Sequence, residues 1–352
     1  MRILVLPGDG IGPEITAATL VVLKAAAQRF KLKLDLNEDI AGHESLTRYG
    51  TTVRPELLDK ARAADGLILG PTATFDFDPA KGQLNPSAFF RKQLDLFANI
   101  RPARTYEGVP SKVGAFNLVV VRENTEGFYA DRNMEQGNGE ILVTKDVVIS
   151  LRRITREACR RVARVAFELA ALRNQHVTAV HKANVLRIGD GMFLDECREA
   201  ARGFEGAQLD EFIVDAMMAH VVRAPSRFDV IVTTNMFGDI LTDLTAELSG
   251  SIGLGGSLNQ GDDYAMAQAA HGSAPDIAGK NIANPYSLIL SANLLLAWYG
   301  RRSKQNAFVE ASVAIERAME SAIAAGEITR DIGGRLGTRE TGDALAARLN
   351  GK

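Results

Sequence analysis

Short apolar runs alternate along this chain with longer stretches whose apolar positions recur at helical spacing. Arg2–Leu6 reads as a buried strand stopping at Pro7, and residues 14–29 follow as a helix, with Pro13 suited to its first turn. Residues 67–69, 114–122, 177–180 and 229–233 predict further strands, and 155–172, 192–202, 238–248, 287–299 and 308–325 predict helices. That alternation predicts an α/β protein with a largely parallel sheet, whose function sits in loops at the carboxyl ends of strands. Four such loops carry polar groups directly after an apolar strand: Gly70-Pro71-Thr72, Arg122-Glu123-Asn124, His181-Lys182-Ala183-Asn184 and Thr234-Asn235.

Composition narrows the class. The chain has 352 residues, long for one compact domain and natural for two lobes or one large α/β unit. Hydrophobic residues at 46% and charged ones at 24% exclude a disordered or fibrous chain. A net charge of -2 supplies no basic excess for nucleic acid or an anionic membrane, so neither is expected as a partner. Cys159 and Cys197 are too few for a disulfide framework or a zinc cluster, which points to a reducing, cytoplasmic setting. The apolar run before Pro7 is short for a secretory signal. The stretch 288–299, interrupted by Ser291 and Asn293, is too short to span a bilayer.

Several motifs carry chemistry. Gly8-Asp9-Gly10-Ile11-Gly12 invites a dinucleotide reading, but Pro13 stands where the Rossmann fingerprint needs glycine. Gln28 and Arg29 stand where an acidic residue belongs, about twenty positions on. A tight strand-to-helix turn is the better role. In Asn235-Met236-Phe237-Gly238-Asp239-Ile240-Leu241-Thr242-Asp243, the two aspartates lie i,i+4 on one helix face, as ligands of a hard cation must; the helix dipole alone also favours carboxylates there. Asp215 follows the apolar run Phe212-Ile213-Val214. Lys182, at a strand end beside an amide, can carry a proton if its pKa is lowered; a solvated lysine is the plain alternative. Arg91, Arg101 and Arg122 offer guanidinium forks for carboxylates. Set beside the aspartates, they suggest a metal-bridged polycarboxylate substrate.

Together these segments resemble the isocitrate/isopropylmalate dehydrogenase family, the β-decarboxylating dehydrogenases of 3-substituted malates. The resemblance runs from Leu6-Pro7-Gly8-Asp9-Gly10-Ile11-Gly12-Pro13-Glu14 to Asp331-Ile332-Gly333-Gly334. Between lie Asp95-Leu96-Phe97-Ala98-Asn99-Ile100-Arg101-Pro102, Arg122-Glu123-Asn124-Thr125-Glu126-Gly127-Phe128-Tyr129, the Asn235 to Asp243 segment, and His271-Gly272-Ser273-Ala274-Pro275-Asp276-Ile277-Ala278-Gly279. The resemblance implies a two-domain subunit that is not a Rossmann fold. Residues 1–96 and 250–352 would form a large cofactor-binding domain, and 97–249 a small substrate and dimerisation domain ending in a segment that pairs with a partner chain.

It also implies roles. Arg91, Arg101 and Arg122 match the substrate-carboxylate arginines, with Asn184 beside them, and Tyr129 matches the proton-donating tyrosine. Lys182 and Asp215 match residues that reach the partner subunit's site in a homodimer. Asp215, Asp239 and Asp243 would hold Mg²⁺ or Mn²⁺, and Lys182 would help remove the hydroxyl proton through water. Thr72, His271, Gly272, Asp276, Ile277 and Asn284 match cofactor positions. A carboxylate at Asp276 accepts from a ribose 2′-hydroxyl and repels a 2′-phosphate, so NAD is the expected cofactor.

The substituent on the malate is the remaining choice. Positions 84, 87 and 88 lack the leucines and glutamate usual in isopropylmalate enzymes, whereas Asn85 and Ser87 exchange a pair found in isocitrate enzymes. Asn124-Thr125-Glu126-Gly127 and His181 also resemble the isocitrate and homoisocitrate branches. The expectation is therefore an isocitrate- or homoisocitrate-like substrate; the alternatives are 3-isopropylmalate, and tartrate or D-malate. A catalytically silent regulatory subunit should have lost part of the set Tyr129, Lys182, Asp215, Asp239 and Asp243, all present here. The sequence Gln268-Ala269-Ala270 departs from the Glu-Pro-Val or Glu-Ala-Val often found before the His-Gly pair.

Overall fold

The computed structural model describes residues 1–129 and 139–351. In chain order its strands are β1 (Arg2–Leu6), β2 (Asp35–Glu38), β3 (Gly66–Leu69), β4 (Ala98–Arg104), β5 (Asn117–Glu123), β6 (Glu140–Thr144), β7 (Val147–Ser150), β8 (His176–His181), β9 (Gln208–Ile213), β10 (Val230–Thr233), β11 (Leu258–Gln260) and β12 (Ala265–Gln268). The helices are α1 (Gly12–Phe30), α2 (His43–Tyr49), α3 (Pro55–Ala63), α4 (Pro86–Gln93), α5 (Arg156–Ala171), α6 (Gly189–Arg202), α7 (Val214–Arg223), α8 (Asn235–Leu248), α9 (Tyr286–Arg302), α10 (Asn306–Ala324) and α11 (Thr338–Leu349). The α/β class and the largely parallel sheet stand as the sequence predicts.

Ten strands form one sheet in the order β2-β1-β3-β12-β11-β4-β5-β10-β8-β9. Strands β2, β1, β3 and β12 are mutually parallel, as are β5, β10, β8 and β9. Antiparallel β11 and β4 join the two blocks, so the blocks run in opposite directions. The first block comes from the two ends of the chain and the second from its middle. β3, β10 and most of β5 are buried, because helices cover both faces, which explains their unbroken apolar runs. Helices α1, α9, α10 and α11 pack together behind the first block, and α5 and α6 cover part of the second.

Several elements lie outside the predicted set, for different physical reasons. Strand β2 is Asp-Leu-Asn-Glu on a sheet edge, largely exposed. Helix α11 packs Gly342 against Ala18, so a close backbone contact replaces a large apolar side chain there. Strands β6 and β7 form a separate hairpin whose every residue is exposed, including Ile141, Leu142, Val148 and Ile149. No helix among the described residues is long and apolar enough to cross a membrane.

Candidate active site

Parallel pairing of β5 with β10 sets Arg122 beside Thr233, and the chain turns from β10 directly into α8. The first turn of α8 therefore lies over Arg122. A Cβ at Gly238 would fall 2.6 Å from Arg122 Cγ, so this helix can approach the arginine only through glycine. Arg122 is fully buried. Its Nε and Nη2 donate to Asn235 Oδ1 at 2.9 and 2.7 Å, and its Nη1 donates to Asp239 Oδ1. Tyr129 donates its hydroxyl to the other Asp239 oxygen at 2.9 Å. Burial pushes the Asp239 carboxyl up, but Arg122 and Arg101 together with the tyrosine bond outweigh it, leaving the group below the usual aspartate value.

Asp243 stands one turn further along α8. Arg101, from β4, donates to Thr242 Oγ1 at 2.8 Å and lies 3.3 Å from Asp243 Oδ1, while its Nε is held by the buried Asn99 at 2.7 Å. Burial and the neighbouring Arg122 charge lower the Arg101 guanidinium to about 10, so it stays cationic at neutral pH. Burial, with the Asp239 charge, raises the Asp243 carboxyl despite Arg101. Two hard carboxylates one turn apart, one of them disfavoured as an anion, suit a divalent cation.

A cleft of about 220 Å³ opens between these groups and the loops of the first block, lined by Thr72, Asn85, Ser87, Ala88, Arg91, Arg101, Arg122, Asp239, Gln268, His271 and Gly272 among others. All three predicted substrate arginines thus face one space. Asn85 caps α4, its Oδ1 accepting from the backbone amides of Ser87 at 3.0 Å and Ala88 at 3.3 Å. Ser87 donates to Gln268 Oε1 at 3.0 Å. The Asn85 oxygen and the Ser87 hydroxyl proton are therefore committed within the protein, while the Asn85 amide NH₂ has no hydrogen bond among the described residues.

Gln268 opens the triplet that departs from the Glu-Pro-Val or Glu-Ala-Val often found before the His-Gly pair. Its Oε1 accepts from Arg91 Nη2 at 3.0 Å as well as from Ser87. Arginine is an obligatory donor, so the amide orientation is settled by the network. Being neutral, Gln268 orients Arg91 without cancelling its charge. Gln268→Leu removes the acceptor that orients Arg91 and should raise the substrate KM roughly tenfold or more, the size of a charged hydrogen bond of about 1.5–3 kcal/mol, with a smaller effect on kcat. Steady-state kinetics decide it; an unchanged KM would detach Gln268 from substrate binding.

The glycine-rich turn after β1 builds the neighbouring wall. Gly10 has φ 59°, and a Cβ there would strike Ser273 O, which also accepts from Ile11 N at 2.8 Å. Asp9 accepts from the backbone amides of His43 and Ala73 at 2.8 and 2.9 Å. The tight-turn role therefore holds, with the turn bracing the loops that carry Thr72 and His271. His271 Nδ1 meets Gly272 O at 3.0 Å, which makes Nδ1 the protonated nitrogen; Nε2 is then a buried acceptor without a partner. Burial lowers its pKa, so the ring is neutral at pH 7. An orphaned acceptor here fits a bound nucleoside with a donor to offer. Asp276 lies exposed in the turn Pro275–Ile277, with Ile277 half-buried beside it. Asn284 is buried and already committed, donating to Asp331 at 2.9 Å and accepting from Tyr286 N at 2.9 Å.

Lys182 and Asp215 stand elsewhere. They pair with each other at the ends of β8 and β9, and the lysine hydrogen bond holds the Asp215 carboxyl below its usual value. Neither lines the cleft, nor does the exposed Asn184. Among the described residues of one chain, no three His, Cys, Asp or Glu side chains gather to hold a metal ion. Asn124, Glu126 and His181 are also taken up internally: Asn124 donates to Leu96 O, Glu126 accepts from Thr155, and His181 Nδ1 accepts from Ala183 N.

Comparison with known proteins decides what this arrangement belongs to. A model of the isocitrate/isopropylmalate dehydrogenase family matches residues 2–345. The chain belongs to the isocitrate/isopropylmalate dehydrogenase family. It is 40% identical to a 3-isopropylmalate dehydrogenase of Archaeoglobus fulgidus, covering 99% of each chain. An isocitrate/homoisocitrate dehydrogenase of Thermus thermophilus shares 38% identity, over 99% of this chain and 98% of the relative. The crystal structure of isocitrate dehydrogenase from Methylococcus capsulatus superposes with a TM-score of 0.88 at 37% identity, covering 99% of both chains. As a member of this family the protein is an oxidoreductase, a decarboxylating dehydrogenase, and its sheet matches the isocitrate dehydrogenase fold of its structural neighbours.

Proposed function

We propose that the protein carries out the NAD-dependent oxidative decarboxylation of 3-isopropylmalate, assisted by Mg²⁺ or Mn²⁺. The observation that carries this reading is the convergence of Arg91, Arg101 and Arg122 on one cleft beside Asp239 and Asp243, with Tyr129 on Asp239. The reading replaces the isocitrate- or homoisocitrate-like expectation for two reasons. Asn85 spends its acceptor and Ser87 its hydroxyl proton inside the protein, and Ala88 adds small, apolar lining beside them. The Archaeoglobus relative is named for 3-isopropylmalate. A second reading, a carboxylated 3-substituent, draws on the isocitrate/homoisocitrate relative and on the polar wall at Gln268.

In this scheme the three guanidiniums hold and orient the malate carboxylates, Tyr129 returns a proton from its hydroxyl to C3, and Lys182 of a second copy takes the C2 hydroxyl proton through water. NAD supplies the hydride acceptor and the divalent ion, held by Asp239, Asp243 and a partner's Asp215, a Lewis acid. Three features support a homodimer of two-domain subunits. Lys182 and Asp215 lie outside their own chain's cleft, the β6–β7 hairpin exposes apolar side chains on both faces, and the sheet divides between residues 1–96 with 250–352 and residues 97–249. The chemistry is that of a soluble cytoplasmic enzyme acting on a small polycarboxylate.

Comparing kcat/KM for 3-isopropylmalate, isocitrate, homoisocitrate, tartrate and D-malate with NAD and Mn²⁺ tests the reading. 3-Isopropylmalate should rank first; a tricarboxylate ranking first would favour the second reading. NAD should outperform NADP by roughly 30–150-fold, because about 2–3 kcal/mol of repulsion separates the exposed Asp276 from a 2′-phosphate. Equal efficiency with both cofactors would remove Asp276 from the choice.

A further inference from the structure

Behind the sheet, on the face away from Arg101, lies a cavity of about 270 Å³ unconnected with the chemistry above. Ile100 and Pro102 of β4 form part of its wall, together with Leu290 and Leu294 of α9. Because successive strand residues point to opposite faces, this cavity backs directly on the strand that presents Arg101 to the cleft.

Two polar residues, Asn293 and Arg301, stand out in a lining that also includes Asn117, Ser312 and Glu316. Asn293 stands between Leu290 and Leu294, is only 5% exposed, and its Oδ1 is buried without a hydrogen-bond partner. Rotating the amide would bury its NH₂ instead, so either orientation leaves a polar atom unsatisfied. The second is Arg301, eight residues on along α9, roughly 12 Å along the axis and about 80° around it, which also lines the cavity. Helical side chains lean toward the N-terminus, which brings its head back over the cavity. Arg104 and Arg173 also line the wall but are occupied, Arg104 with Glu316 and Glu320 and Arg173 with Asp229. Arg301 has no ion-pair or hydrogen-bond partner among the described residues. A buried acceptor at one end and a free cation at the other are complementary to a molecule with a donor and a carboxylate separated by an aliphatic body. At about 30 Å³ per water-sized unit, the space admits about nine non-hydrogen atoms.

We infer that the cavity between β4 and α9 is a second binding site, which takes a short aliphatic carboxylate bearing a hydroxyl at its far end, the hydroxyl on Asn293 and the carboxylate on Arg301. The probe is 6-hydroxyhexanoate, with hexanoate lacking the donor and 1,6-hexanediol lacking the anion. Calorimetric titration of the full-length protein should show 6-hydroxyhexanoate binding at least tenfold more tightly than either control. Asn293→Leu should abolish its advantage over hexanoate, and Arg301→Ala its advantage over the diol. Arg91→Ala, which disables the cleft, should leave this binding intact. No measurable binding, equal binding of all three probes, retention of both advantages in the variants, or loss with Arg91→Ala would each overturn the inference. Thermal melts of the variants separate lost binding from lost folding.

Discussion

Replacing Asp239 by asparagine lowers turnover by ~10²–10³, the usual consequence of removing one electrostatic group from a reacting centre. Asp239 is shared by Arg122 and Tyr129 and sits one turn from Asp243. Asparagine keeps the size and one acceptor oxygen, so Arg122 is not left bare and the fold should persist. The charge that would hold a hard cation is gone, so the Mn²⁺ concentration for half-activation should rise as turnover falls. Titrating activity against Mn²⁺ in the variant checks both. Full turnover at limiting metal would remove Asp239 from the metal site.

Mixing two inactive variants restores activity if the site is built from two copies. Lys182→Ala disables the pair with Asp215, and Asp239→Asn disables the cleft. In a two-fold dimer that shares residues across the interface, a mixed dimer collects both lesions in one site and leaves the other intact. After co-refolding at equal amounts, half the dimers are mixed and activity should recover to about a quarter of wild type. If Lys182 served its own chain, each site would carry one lesion and mixing would restore nothing.

What the chain's pattern revealed, and what it hid, follows from where each signal originates. Buried strands such as β3 and β10 are continuous apolar runs because both their faces are covered, so they were readable. The hairpin β6–β7 is equally apolar but exposed, so an apolar run alone does not tell whether this chain buries it. Helix α8 begins three residues before the predicted 238, because Asn235 is drawn into its first turn by Arg122. At the site, the i,i+4 spacing of Asp239 and Asp243 identified a shared face, yet spacing alone left open whether a metal or the helix dipole explained it. Arg91, Arg101 and Arg122 come from three successive elements, α4, β4 and β5, and only the fold shows that all three face one cleft. At Asn85 and Ser87, residue type does not reveal that one polar atom is already spent on a helix cap and another on Gln268. Gln268 itself had no signal beyond an unusual local triplet, since its importance lies in accepting from groups about 180 residues away.

One measurement bears most directly on the proposed chemistry: simultaneous recording of NADH and CO₂ from purified wild-type protein given 3-isopropylmalate, NAD and Mn²⁺. The two products should appear in equal amounts, and both should stop when a chelator removes the metal. NADH without CO₂, or neither product from any 3-substituted malate, would contradict the reading of the cleft as an oxidative decarboxylation site.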